Sequence, residues 1–153
     1  MKITIYSIDK RGKKEIYDPI IEHFKKLSKR YAQIEIVDIF NNEIAKAQDI
    51  SVEIAQKSYT KALEKFLQGG YNIALDPTGK EVDSFSFAKL LQRGANISFF
   101  IGGAYGFEKN MLNMCDFKVS FGKITMSHKL AKIVLMEQIY RGLAINNNHP
   151  YHK

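Results

Sequence analysis

The sequence predicts an α/β protein with a mostly parallel sheet. Strand-like and helix-like segments alternate from residue 1 to 122, and each strand pattern ends at a polar or glycine-containing turn. Parallel strands need crossover connections, which helices usually supply. The chain has 153 residues, of which 45% are hydrophobic and 25% charged, and these values predict one globular domain over residues 1–153.

Five segments have the apolar or alternating pattern of strands. They are Ile3–Ile8, Ile34–Phe40, Tyr71–Leu75, Ile97–Ile101 and Phe117–Phe121. The first has no small-residue cleavage site behind it, so it is read as a strand and not as a signal peptide. No run of about 18 apolar residues occurs, so no membrane span is expected. No helix combines a basic face with an aromatic insertion face, so no membrane partner is expected either. A cytoplasmic location is predicted, and a single cysteine, Cys115, suits that reducing compartment.

Four helices are predicted between and after these strands. They cover Glu15–Tyr31, Ile50–Leu67, the stretch from the capping pair Asp83-Ser84 to Gly94, and Ser127–Ala144. Pro19 is tolerable only near the first turn of the first helix. The segment Asn41–Asp49 is predicted to be a mobile loop.

The last predicted helix is apolar around most of its circumference, from Leu130 to Ala144. Such a helix is buried on more than one side. Packing inside one subunit or a partner subunit could supply the second cover, and we favour a homodimer.

The net charge of +7 favours a polyanionic partner such as RNA or DNA. Lysines outnumber arginines among the basic residues, so a lysine-biased proteome is an equally good explanation. Charge alone therefore leaves nucleic-acid binding open.

Three predicted strands run into turns of small or polar residues: Leu75–Lys80, Ile101–Gly106 and Phe121–Ser127. Ligands of open parallel sheets bind at the carboxyl ends of the strands. Neither a dinucleotide fingerprint nor a Walker loop is present, which disfavours NAD and ATP enzymes. No serine nucleophile elbow occurs, and Cys115 is interpreted as a packing residue. No metal is expected, because His149 and His152 lack a third ligand.

Several motifs together are similar to those of the RlmH family of ribosomal large-subunit pseudouridine N3-methyltransferases, over essentially the whole chain. The motifs are Leu75-Asp76-x-x-Gly79-Lys80, Ser86-Phe87-Ala88, Phe100-Ile101-Gly102-Gly103-x-x-Gly106, Ser127-His128-x-Leu130-Ala131, Glu137-Gln138-Ile139-Tyr140-Arg141 and His149-Pro150-Tyr151-His152-Lys153. The Tyr-Arg and terminal Pro-Tyr-His-Lys segments are the most specific of them.

The resemblance implies a SPOUT-class fold with a C-terminal trefoil knot, a homodimer, and S-adenosylmethionine as the cofactor bound in the knot. It implies N3-methylation of a pseudouridine in 23S rRNA, with the assembled 70S ribosome as the expected partner. By position, the cofactor-binding residues would be Leu75, Gly103, Gly122, Lys123, Ile124, Thr125, Met126 and Ser127. Gly142 stands where alanine is usual, and could weaken the last helix by about 1 kcal/mol relative to alanine.

Methylation of the ring nitrogen N3 requires loss of its imide proton, which a nearby base or cation would assist. The candidates are Arg141, Tyr151 and His152. Arg141 could stabilise the anionic base or anchor a phosphate, Tyr151 could stack on the uracil ring, and His152 could accept the proton. His128 could cap the last helix or take part in catalysis.

Two other functions fit parts of the sequence. A non-catalytic basic protein that binds RNA or the ribosome would need the charge but not the three turns. A different small-molecule α/β enzyme would need the turns but not RNA. Binding of S-adenosylmethionine separates the first of these from a methyltransferase, and dependence on RNA separates the second.

Overall fold

The centre of the molecule is a five-stranded sheet in which every pairing is parallel. A computed structural model describes residues 1–153. The strands, in chain order, are β1 (Lys2–Ile8), β2 (Gln33–Ile39), β3 (Tyr71–Glu81), β4 (Asn96–Ile101) and β5 (Phe117–Ser120), and their order in the sheet is β2-β1-β4-β3-β5. The predicted α/β class with a mostly parallel sheet is confirmed.

Helices cover both faces of this sheet. They are α1 (Asp18–Ser28), α2 (Asn42–Gln48), α3 (Val52–Leu63), α4 (Ser84–Leu90), α5 (Lys109–Met114) and α6 (His128–Asn146), with a short 3₁₀ turn at Glu64–Phe66. The larger core cluster lies between the sheet and α1, α4 and α6, whereas the smaller one lies against α2, α3 and α5.

Strand β4 shows how the sequence divides its residues between the two cores. Ile97, Phe99 and Ile101 belong to the larger cluster, and Phe100 belongs to the smaller. Successive side chains of a strand point to opposite faces, so an apolar run without polar interruption is what a strand covered on both faces requires.

Helix α1 begins at Asp18, not at the predicted Glu15. Pro19 occupies the first turn, where its missing N–H removes no helical hydrogen bond. A start at Glu15 would have placed Pro19 where its N–H is needed. The first helical turn is therefore fixed by the proline, and Glu15 is free to accept a hydrogen bond from the Gly12 amide at 3.0 Å.

The prediction of a mobile loop over Asn41–Asp49 is wrong, because α2 occupies most of this segment. The Asn41 side chain caps the helix by accepting from the Ile44 amide at 2.8 Å. Ile44 and Ala47, three residues apart, are buried on the core side. The cap and the spacing were visible in the sequence, but seven residues are too few for a clear helical repeat.

Strand β3 continues to Glu81 instead of ending at Leu75, through a bulge. Leu75 and Lys80 both pair with Val119, so the residues between them project from the carboxyl edge of the sheet. Gly79 makes this possible, because a Cβ there would lie 2.7 Å from the carbonyl carbon of Lys118.

Helix α6 crosses α4 closely at Gly142. A Cβ at Gly142 would lie 2.8 Å from Leu91 Cδ1 and 3.3 Å from Ala88 Cα. Both neighbours are buried, so the glycine is used for close approach of two helices, and the helix propensity that it sacrifices is the cost of that contact.

Replacement of Gly142 by alanine is therefore expected to lower the free energy of unfolding by about 1 kcal/mol. The gain in helix propensity, about 1 kcal/mol, is outweighed by overpacking, which costs about 1–3 kcal/mol. Urea unfolding measures the change. In a Leu91→Ala background the same substitution should become neutral or stabilising, and an unchanged penalty there would contradict the packing explanation.

Candidate functional site

The three turns singled out in the sequence meet in one cavity of about 450 Å³ at the carboxyl edge of the sheet. The bulge of β3, the turn after β4 and the segment between β5 and α6 each form part of its wall. Its lining residues are Gln56, Leu75, Asp76, Pro77, Ile101, Gly102, Gly103, Ala104, Tyr105, Gly106, Phe107, Val119, Phe121, Gly122, Ile124, Thr125, Met126, His128 and Ala131. This edge is where open parallel sheets bind ligands.

Six of the eight predicted cofactor residues line this cavity: Leu75, Gly103, Gly122, Ile124, Thr125 and Met126. Lys123 and Ser127 lie in the same segment but outside the lining. Ser127 is the N-cap of α6, and its hydroxyl accepts from the Leu130 amide at 3.3 Å. Ser127 thus serves to cap the first turn of α6.

The wall formed by the turn after β4 is tightly fitted at Gly103. A Cβ there would lie 2.7 Å from the ring and hydroxyl of Tyr59 and 2.9 Å from Ile8 Cγ2. The turn closes through a hydrogen bond from the Gly106 amide to the Gly103 carbonyl at 3.1 Å, with Gly106 at φ +70°. The side chain of Gln56 donates to the Tyr105 carbonyl at 2.9 Å, which holds the turn against α3.

The cavity suits a ligand with an apolar ring system and several polar groups. Leu75, Ile101, Val119 and Phe121 give it apolar walls, while the glycine-containing turns bring backbone groups to its surface. Its volume lies in the range of small-molecule and cofactor sites, about 300–1,000 Å³. The residues present therefore fit an adenosyl cofactor such as S-adenosylmethionine.

The three predicted catalytic residues lie together at the far end of α6. The tail turns back at Asn148, which has φ +55° and follows the helix end. Arg141 Nη1 lies 3.2 Å from His152 Nδ1, and its guanidinium carbon lies 4.8 Å from the centre of the Tyr151 ring. Glu137 binds two members of the group, since it accepts from Arg141 Nε at 3.0 Å and from the Tyr151 hydroxyl at 3.1 Å.

We call Glu137, Arg141, Tyr151 and His152 the tail cluster. Its electrostatics favour the protonated forms of Arg141 and Tyr151. Hydrogen bonds to Glu137 raise the pKa of Arg141. Burial, together with the hydrogen bond to Glu137, raises the pKa of the Tyr151 hydroxyl. Nδ1 of His152 faces the Arg141 guanidinium, which can only donate hydrogen bonds. Nδ1 can therefore accept a proton from substrate only after the contact with Arg141 is broken.

Within one chain the tail cluster and the cavity are well separated. Among α6 residues only His128 and Ala131 line the cavity, and none of the tail cluster does. Ten residues separate Ala131 from Arg141, which corresponds to about 15 Å along a helix. The cavity and the tail cluster were both expected to form one site, but a single chain does not bring them together.

A buried charge network that the sequence reading missed lies at the other end of α6. Asp9 and Lys132 are each only 3% exposed. Lys132 Nζ lies 2.8 Å from Asp9 Oδ2 and 2.5 Å from Asp38 Oδ1. The other oxygen of Asp9 accepts from Lys129 at 2.8 Å and from His128 Nε2 at 3.0 Å. His128, on the cavity wall, is thus bound to a carboxylate, whereas Ser127 provides the cap.

This network controls the pKa of Asp9. Burial alone would raise it, but hydrogen bonds from His128, Lys129 and Lys132 outweigh burial and hold the pKa far below the usual value. The folded state therefore binds a proton at Asp9 more weakly than the unfolded chain does. The stability that Asp9 contributes is complete above the unfolded pKa of about 3.9 and is lost as the pH falls below it.

We expect the stability difference between the wild type and Asp9→Asn to narrow as the pH is lowered. Between pH 7 and pH 3 the difference in unfolding free energy should shrink by about 1 kcal/mol, because the unfolded aspartate takes up a proton that the folded one refuses. Urea titrations of both proteins at each pH measure this. A difference that stayed constant down to pH 3 would contradict a depressed pKa.

The remaining candidates have ordinary surroundings. Cys115 is partly buried against the smaller core, and burial raises the pKa of its thiol to about 11, which agrees with a packing residue. His23 is exposed on α1. Nowhere do three or more His, Cys, Asp or Glu side chains form a group that could hold a metal ion. None of the helices combines the length and apolar character needed to cross a bilayer.

Comparison with known proteins agrees with this geometry. The family model described as "Predicted SPOUT methyltransferase" matches residues 1–152. The protein named ribosomal RNA large subunit methyltransferase H from Sulfurovum sp. (strain NBC37-1) is 64% identical over 153 residues, the whole of both chains. The protein of that name from Aliarcobacter butzleri (strain RM4018) is 50% identical over the same length and coverage.

A solved structure supports the fold independently. It is described as a probable methylase family protein from Haemophilus influenzae Rd KW20, and it superposes with a TM-score of 0.56 at 13% identity, covering 99% of this chain and 70% of that one. The full-length family match and the high identities show more than the fold. The chain belongs to the SPOUT methyltransferase family and, within it, to the RlmH group of ribosomal RNA large-subunit methyltransferases.

Proposed function

We propose that this protein uses S-adenosylmethionine to methylate N3 of a pseudouridine in 23S rRNA, acting on assembled ribosomes in the cytoplasm. The observation that carries the proposal is the convergence of three strand-end turns on one cavity in a full-length member of this family. A non-catalytic RNA-binding protein would have no use for such a cavity.

The cofactor, when bound, supplies an electrophilic methyl group. Leu75 and the backbone at Gly103 and Gly122 would hold it, with Ile124 to Met126 closing one side. The turn segments are fixed by their own hydrogen bonds, so little backbone ordering is left to be done on binding. We also propose that the segment between β5 and α6 threads the trefoil knot of the SPOUT class.

A homodimer would bring the tail to the cavity. One stripe of α6 remains incompletely covered by its own chain: Leu130 is 47% exposed, and Ile133 and Val134 are partly exposed. In a two-fold dimer with antiparallel α6 helices, this stripe would pack against the same stripe of the partner subunit. The Arg141 end of one helix would then lie beside the Leu130 end of the other, next to the partner's cavity.

In this arrangement the tail residues act on the target base. Arg141 stabilises negative charge on the ring as the N3 proton leaves, and Tyr151 stacks on the base. His152 becomes a proton acceptor when Arg141 turns away from the His152 imidazole and towards the substrate. Glu137 orients the other members of the cluster until substrate binds.

Two measurements test the proposal. Ribosomes from cells that lack this protein are incubated with it and S-adenosylmethionine, and mass spectrometry of the 23S rRNA should detect one added methyl group on a pseudouridine. Calorimetry should detect S-adenosylmethionine binding that Gly103→Ala weakens at least tenfold, because the new Cβ displaces the cavity wall. The proposal would be refuted if titration of wild-type protein with the cofactor gave no more heat than titration of buffer, or if the rRNA stayed unmethylated.

A further inference from the structure

The loop between β1 and α1 carries a run of basic side chains. Lys10, Arg11, Lys13 and Lys14 are all exposed and follow the buried Asp9 directly. We call these four residues the basic loop. It lies at the carboxyl edge of the sheet, which is also the edge that holds the cavity.

The acidic residues of this region are all neutralised internally. Asp9 is paired with Lys129 and Lys132, Glu15 with Lys129 at 2.6 Å, and Asp18 with Arg11 at 2.7 Å. Lys10, Lys13 and Lys14 have no carboxylate within 4.0 Å. Three exposed lysines of the loop therefore have no carboxylate partner, although the Lys10 ammonium lies 5.9 Å from the centre of the Phe40 ring.

The loop is also held firmly beside the cavity. The ion pair of Lys129 with Glu15 joins it to the first turn of α6, and the adjacent His128 lines the cavity. Lys123, exposed and without an ion pair, lies in the segment that forms another part of the same wall. Lysines therefore lie on two of the segments next to the cavity, outside its lining.

We propose that Lys10, Lys13 and Lys14, together with Lys123, bind the phosphates of the rRNA strand that carries the target base. This inference rests on the proposed function and assigns its RNA-binding surface. Unpaired lysines on an anchored loop are suited to phosphate contacts, which position a nucleic acid without reading its sequence. Specificity then comes from the cavity and the tail cluster.

The test is a matched pair of triple variants. The loop variant carries Lys10→Gln, Lys13→Gln and Lys14→Gln. The control carries Lys26→Gln, Lys29→Gln and Arg30→Gln, which are exposed residues at the opposite end of α1. Both lose three positive charges, so a difference between them reports position and not net charge. A single Lys123→Gln variant is measured alongside.

Each protein is tested for ribosome binding by co-sedimentation without cofactor, and for methylation at several salt concentrations. The loop variant should bind ribosomes at least tenfold more weakly than the control variant does, and its KM should be raised with kcat nearly unchanged. Its plot of log affinity against log salt should be shallower by about 2–3, because each lost phosphate contact removes about 0.7–0.9 from the slope. Lys123→Gln should lower ribosome affinity.

The outcomes separate this inference from the function on which it rests. Wild-type methylation and cofactor binding report on the function, whereas the comparison of loop and control variants reports on the surface. Equal ribosome affinities of the loop and control variants would overturn the inference even if methylation occurs. Weaker binding by the loop variant with an unchanged salt slope would also overturn it, because it would indicate a contact with ribosomal protein and not with phosphate.

Discussion

Removal of Tyr151, His152 and Lys153 is expected to lower the rate of ribosome methylation at least 100-fold. Tyr151 and His152 complete the tail cluster around Arg141 and Glu137 and supply the aromatic ring and the imidazole of the proposed mechanism, whereas Lys153 forms no contact in the cluster. The effect should fall on kcat, since groups that act on the base in the transition state contribute little to ground-state binding. Single-turnover methylation of ribosomes gives this rate.

Deletion of Lys153 alone is the matched control. Lys153 is exposed and forms none of the cluster contacts, so turnover should stay within about threefold of the wild type. Both truncated proteins should retain the proposed S-adenosylmethionine binding and the proposed dimer, because the cavity lining and the uncovered stripe of α6 are unchanged. Normal turnover after loss of all three residues would remove the tail from the mechanism.

Replacement of Lys132 by methionine is expected to destabilise the folded protein by about 3–5 kcal/mol. The substitution removes the buried ammonium that Asp9 and the half-buried Asp38 share, and loss of one partner of a buried ion pair costs that much. The melting temperature should fall by ~10 °C for a chain of this size. Urea unfolding at pH 7 provides the free energy itself.

An exposed ion pair provides the comparison for this effect. Lys57 lies 3.1 Å from Glu53 on α3, and both side chains are largely exposed. Lys57→Met should change stability by less than about 1 kcal/mol, because water already solvates both charges. Equal effects of the two lysine substitutions would mean that the network around Asp9 is not a buried, mutually dependent group.

Helix and strand positions followed from local patterns where the pattern was long or sharply bounded. All five strands were predicted, and the Asp83 cap marked the start of α4, whereas the start of α1 was placed three residues too early. Shorter features were missed: α2 and α5 are too brief to show a periodic signal, and the continuation of β3 depends on pairing with β5. Strand pairing is a non-local interaction that a window of sequence does not contain.

The sequence contains a sign of the buried network at Asp9. Lys132 is a lone charge within the apolar run of α6, and Asp9 and Asp38 stand at the ends of neighbouring strands. A lysine on a buried helix face needs a carboxylate, and the strand ends are the places able to supply one. The pairing itself, over more than one hundred residues, could be seen only in three dimensions.

Local patterns in the sequence were enough to predict the α/β class, the three strand-end turns, the tail residues and the family, because these depend on local periodicity and on motifs of adjacent residues. The tertiary structure decided which of these come together. It joined the turns in one cavity, placed Tyr151 and His152 beside Arg141 and Glu137, and separated that cluster from the cavity by about three turns of α6. Those distances arise from the packing of α6 across the sheet, and packing depends on contacts between segments that are far apart in the chain.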